Sequence, residues 1–269
     1  MKKLGGAVAA TLLLFGIVGV SPAQAADTAT VSVLHGVPGA TVDVWANGKP
    51  LLTNFKPGTL TDPTQLPAGS YDLKVVQAGA GLDAAAVVEA KGVMVPAGAN
   101  ITVVAHLTAD GKPALTPFVN STETIPAGKA KLTVRHVAAA PAVDVRAGGT
   151  VAFPGLVNPK EATATLATGT IKADVVLAGT TTVAIGPADV TLAEGTHTIV
   201  YAWGSAEQKT LALAVQVVKG LHSNPAGVPA GGDGSAADTG GRMALVFGVA
   251  LLAAAAVVLR SRTRATERV

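Results

Sequence analysis

His35 and Asp43 stand eight residues apart, and His136 and Asp144 repeat the pair at the same spacing. An imidazole beside a carboxylate is the arrangement that orients a general base or a metal-ligating histidine. A zinc or calcium site needs three or more converging ligands, and neither pair brings a third at ligand spacing. The alternative reading is structural. A strand-end histidine is capped by a neighbouring strand's aspartate, or an aspartate holds a turn, and the pattern occurs twice because the whole domain does. His106, His197 and His222 have no partner at ligand spacing.

Other chemistry is sparse. The chain has no cysteine and no G-x-S-x-G, H-E-x-x-H or Walker A pattern. Gly48-Lys49 and Gly128-Lys129 lack the upstream glycine of a phosphate-binding loop and read as turns. We therefore expect no catalytic residue, no cofactor and no metal site, and a chain that is not an enzyme. Trp45, Tyr71, Tyr201 and Trp203 are the only tryptophans and tyrosines, and all lie inside apolar runs, as core residues do rather than sugar-stacking platforms. Asn100-Ile-Thr102 and Asn120-Ser-Thr122 match the N-glycosylation pattern.

The elements that carry these residues are strands. Hydrophobic residues make up 49% of the chain, yet aromatics only 3% and charged residues 14%. Alanine, valine, threonine and glycine dominate instead, a mixture suited to short strands and tight turns. Runs such as Val31–Leu34, Val42–Trp45, Tyr71–Val76 and Ile101–Leu107 are separated by Gly-Lys-Pro, Pro-Ala-Gly and Asp-Gly-Lys-Pro tracts. Only Ala84–Glu89 and Pro159–Ala164 read as possible short helices.

The chain also repeats itself. Val31-Ser-Val-Leu-His35 returns as Leu132-Thr-Val-Arg-His136, and Val42-Asp-Val44 as Val143-Asp-Val145, both displaced by 101 residues. Ala78-Gly79 returns as Ala178-Gly179 at 100, and Val103-Val-Ala105 as Val200-Tyr-Ala202 at 97. Shrinking offsets are what small deletions in turns produce. The expected fold is all-β: two tandem β-sandwiches of immunoglobulin-like type, residues 26–125 and 126–220.

The two ends read as targeting segments. Lys2 and Lys3 precede an apolar stretch and the small residues Ala23 and Ala25, the layout of a secretory signal over residues 1–25 cleaved after Ala25; an uncleaved anchor is the alternative. At the other end, residues 221–242 are rich in Pro, Gly and Ala and read as a flexible linker. Residues 243–259 are apolar without a charge, and 260–269 form a basic tail. Seventeen helical residues span about 25 Å, and flanking arginines can snorkel to cover the shortfall against a bilayer core. The arginine excess after this run places the tail in the cytoplasm. Formal net charge is +3, but between residues 26 and 241 there are 13 basic against 16 acidic residues, a balance near −3. The basic footprint that nucleic-acid binding requires is absent there.

Two resemblances follow from these residues. Ala237-Asp-Thr239-Gly240, an apolar run and a basic tail resemble a sortase sorting signal of the L-A-x-T-G form. That likeness implies cleavage between Thr239 and Gly240 and attachment to cell-wall peptidoglycan; a plain membrane anchor is the alternative. His35-Gly-Val-Pro-Gly-Ala-Thr-Val-Asp-Val44 and His136-Val-Ala-Ala-Ala-Pro-Ala-Val-Asp-Val145 resemble the opening of domain of unknown function 4397. This is a bacterial and archaeal extracellular β-domain often found in tandem; it implies a location and a fold but no activity.

The expected function is a non-catalytic cell-surface protein that displays two β-sandwich modules in a structural or adhesive role. Its partners would be the membrane through the C-terminal helix, peptidoglycan through a sortase, and an unidentified protein or glycan. The rival is a secreted enzyme or accessory subunit with a site assembled from loops.

Overall fold

The computed structural model describes residues 27–223, and among these there is no helix. The expected signal segment with Ala23 and Ala25, the apolar run 243–259, the basic tail, and Ala237, Thr239 and Gly240 lie outside the described residues.

Sixteen strands follow one another in two sets of eight. The first set is β1 (Thr28–His35), β2 (Val42–Ala46), β3 (Lys49–Phe55), β4 (Thr64–Pro67), β5 (Gly69–Gln77), β6 (Ala86–Val95), β7 (Asn100–Leu107) and β8 (Pro113–Val119). The second is β9 (Lys129–Ala139), β10 (Val143–Ala147), β11 (Thr150–Leu156), β12 (Glu161–Ala167), β13 (Gly169–Leu177), β14 (Val183–Leu192), β15 (His197–Ser205) and β16 (Ala212–Val218). The strand orders are β4-β1-β7-β8 and β3-β2-β5-β6, then β12-β9-β15-β16 and β11-β10-β13-β14, so the second set reproduces the first strand for strand. In each set the opening strand pairs parallel with the seventh, β1 with β7 and β9 with β15, while every other pairing is antiparallel.

Within each set the two sheets face each other across an apolar core. Ala29, Val31 and Ile101 meet Leu73, Val93 and Val95 in the first; Leu132, Val134 and Val200 meet Val145, Val175 and Val190 in the second. Each set is thus a β-sandwich built by period-2 alternation.

The strands β1, β7, β9 and β15 are buried along almost their whole length, which alternation over a single core does not explain. Their second face meets the other sandwich. Leu34, Val104 and Phe118 share one cluster with Val137, Ile199, Tyr201 and Ala214. The result is four layers, in which β1, β7, β9 and β15, the central strands of the two inner sheets, are covered on both sides. Trp203 reaches across as well: a Cβ on Gly58, whose φ is +76°, would come within 2.7 Å of its ring. Asn158 Nδ2 donates to both Leu107 O and Ala138 O, one acceptor in each sandwich. Leu221–Ser223, at the start of the segment expected to be linker, return to the junction, where Ile125 N donates to Leu221 O and Ser223 N to Ile125 O.

Two expectations need correction. Ala84–Glu89 and Pro159–Ala164 are not helical: the first runs into β6 and the second into β12. The alanines there have high helix propensity, but β12 alternates half-buried and exposed residues throughout, and pairing with β9 decides the outcome.

Candidate functional site

The repeated histidine and aspartate do not meet. Nε2 of His35 donates to Ala40 O at 2.8 Å, and Nδ1 accepts from Val37 N–H; His136 does the same with Pro141 O and Ala138 N–H. Each histidine therefore pins the loop that follows its own strand. Asp43 accepts from Asn54 N and Gly79 N, both at 2.8 Å, and Asp144 from Gly155 N and Gly179 N at 2.7 and 2.9 Å. Each carboxylate lies at a bulge between two strands and ties it to a distant turn. The amides of Gly155 and then Gly179 hold the Asp144 carboxyl below its usual range. Of the structural readings, the turn-holding aspartate is the one found; the capped histidine is replaced by a backbone-bonded one. Among the described residues no three His, Asp or Glu side chains converge as metal ligands.

The polar groups that do converge lie between the sandwiches, and none was singled out as a site from the sequence. Arg135, only 1% exposed, donates through Nε to Glu161 at 2.7 Å and through Nη1 to Asn120 Oδ1 and Tyr201 Oη, both at 2.8 Å. Its guanidinium carbon lies 4.4 Å from the centroid of the Phe118 ring. Tyr201 Oη donates to Gln216 Oε1, which also accepts from Thr102 Oγ1; Thr102 Oγ1 in turn accepts from Asn120 Nδ2. The five side chains close a ring, with Thr102 and Asn120 from the first sandwich and Arg135, Tyr201 and Gln216 from the second. Asn120, the apparent glycosylation acceptor, is buried within it.

One signal for this ring was present in the self-alignment. By strand register Arg135 occupies the position of Leu34, and Tyr201 that of Val104. A charge in the middle of an apolar strand, at the register position of a leucine in the other sandwich, marks a face whose two halves differ.

His197 sits beside the ring. A carbonyl can only accept, so Nδ1 donates to Ser121 O at 3.1 Å and Nε2 accepts from Thr133, whose hydroxyl also meets Thr163. His106 is held likewise between Leu107 O and Thr116. Burial pushes the pKa of His35, His106, His136 and His197 below the ordinary value of 6.5. In each ring one nitrogen donates to a carbonyl and the other accepts, so the neutral form satisfies the site.

At one end of the interface, turns from both sandwiches enclose a cleft of about 540 Å3, lined by Asp110 and Gly111, Ala139–Pro141 and Ser205–Gln208. Asp110 bonds Thr108 and pairs with Lys112, and Ser205 bonds the Gln208 amide, so these groups serve their own turns.

A family model described as a domain of unknown function (DUF4397) matches residues 29–146. The match covers nearly all of the first sandwich and continues through β9 into β10, so it includes both histidines and both aspartates of the clamps. No curated protein matches the chain.

Two outcomes follow. Removing Glu161 leaves Arg135 buried without its carboxylate. Because the Glu161 side chain is 41% exposed, water replaces part of it, and Glu161→Ala is expected to cost about 3 kcal/mol, the low end for a broken buried pair. The double variant Arg135→Leu/Glu161→Ala removes the buried charge but leaves Asn120 Oδ1 without its donor, and is expected to recover only part of that loss. Denaturant unfolding checks both, and a cost under about 1 kcal/mol for Glu161→Ala contradicts the assignment. The histidines give a pH dependence. Their folded pKa values lie below 6.5, so the unfolded chain takes up protons first as pH falls. Stability is complete above pH 6.5 and is lost below it, by up to about 1.4 kcal/mol per pH unit for each histidine. Thermal unfolding between pH 7.5 and 5 is expected to show a falling Tm; a flat profile refutes it.

Proposed function

We infer that the chain is a non-catalytic surface module whose two sandwiches act as one rigid body, displayed in a structural or adhesive role. The observation that carries this reading is the buried ring around Arg135. A spacer or a presentation platform needs fixed geometry between its domains, and a charged network closed across the interface supplies it. The reading also fits the histidine and aspartate clamps, whose polar atoms are bonded to backbone instead of converging on a cavity. Both sets of eight strands are taken as copies of the domain matched at residues 29–146, on the strength of their shared strand order and repeated clamps.

Display rests on the ends of the sequence. Export with cleavage after Ala25 is supported by the Ala23-x-Ala25 pattern, and retention by the apolar run 243–259 with its arginines. Covalent sorting through Thr239 is supported by Ala237-x-Thr239-Gly240, placed just before that run.

Extraction tests this. Wild-type protein is expected in the fraction freed by wall-digesting enzymes, and Thr239→Ala in the fraction freed by detergent alone. Equal detergent extraction of both contradicts covalent sorting and leaves a single-span membrane anchor.

A further inference from the structure

The two sandwiches share their strands but not their interiors. Between the sheets of the second lies a cavity of about 200 Å3, whereas the corresponding space in the first is about 30 Å3. Strand register shows why. Ala152 stands where the first sandwich has Leu51, Ala173 where it has Leu73, and Ile171 where it has Tyr71. Phe153 is larger than its counterpart Leu52, yet the three smaller side chains leave a space that the opposite sheet, with Leu132, Val134 and Val200, does not fill.

Water is a poor occupant of this space. An ordered buried water needs two to four polar partners, and the lining is aliphatic and aromatic apart from Arg146 and Asp174. Those two are bonded to each other, Nε to Oδ1 at 2.7 Å and Nη2 to Oδ2 at 2.5 Å. The cavity reaches the surface at the sheet edge, where Ala152 on the edge strand β11 lines it and is exposed. Apolar cavities of about 150 Å3 stay dry and accept benzene-sized guests, so the volume here suits a single aromatic ring or a short branched alkyl group.

We propose that the second sandwich holds a binding site for a small neutral apolar molecule, between its sheets, and that the first sandwich has none. The site stands whether or not the chain is displayed at a surface.

Toluene is the probe, added to the detergent-free full chain. Its binding is expected to raise Tm by about 5–10 °C at a hundredfold excess over Kd. Ala173→Leu, which restores the residue of the first sandwich, is expected to raise Tm unaided and to abolish the response. No response in the wild type, or an equal response in wild type and variant, overturns the proposal. Should Ala173→Leu fail to fold, Ala152→Leu at the exposed edge gives the same readout. Methyl resonances of Val200 and Leu213 in the wild type must in any case move on addition of toluene, and unmoved signals also overturn it.

Discussion

A guanidinium removed from water must direct its N–H groups at acceptors, and Arg135 sits between two sheets whose side chains supply them. Its partners come from both sandwiches: Glu161 and Tyr201 from the second, Asn120 from the first. Separating the sandwiches would strip Asn120 from it and open the ring that Thr102 and Gln216 complete. Such a network fixes one relative placement, because sliding either sheet would leave buried polar atoms unpaired. The equivalent faces of the two sandwiches meet, yet they are not chemically alike. Leu34 and Val104 on one side correspond in register to Arg135 and Tyr201 on the other. The two faces are complementary.

Much else follows from that contact. The central strands of the inner sheets are buried on both faces, while β3, β6, β11 and β14 are mostly exposed or half-buried. The histidines lie in or beside the doubly covered strands, which is why burial governs their protonation. The clamps work outward from the same strands: His35 and His136 hold the loops leaving β1 and β9, and Asp43 and Asp144 hold the bulged outer strands.

The strand runs and the turn glycines were legible because period-2 patterning and left-handed glycines such as Gly79 and Gly179 are local properties. The turn-holding role of Asp43 and Asp144 was among the readings the residues allowed, since each carboxylate recurs with the same glycine partner. The interface was not legible. Patterning tells which residues alternate but not what covers the outer face of a strand, so Tyr201 read as an ordinary core residue and Asn120 as a glycosylation site. β6 and β12 were obscured by alanine, whose helix propensity is overridden by pairing. The cavity depends on a volume difference between the two sandwiches, visible only once register matches Leu73 with Ala173.

The most direct test of a single rigid body is calorimetric unfolding of the full chain. Sandwiches joined by a buried ionic network lose it together, so one transition is predicted, with calorimetric and van't Hoff enthalpies equal. Two resolved transitions, or a calorimetric enthalpy near twice the van't Hoff value, would show that the sandwiches unfold independently and would contradict the account.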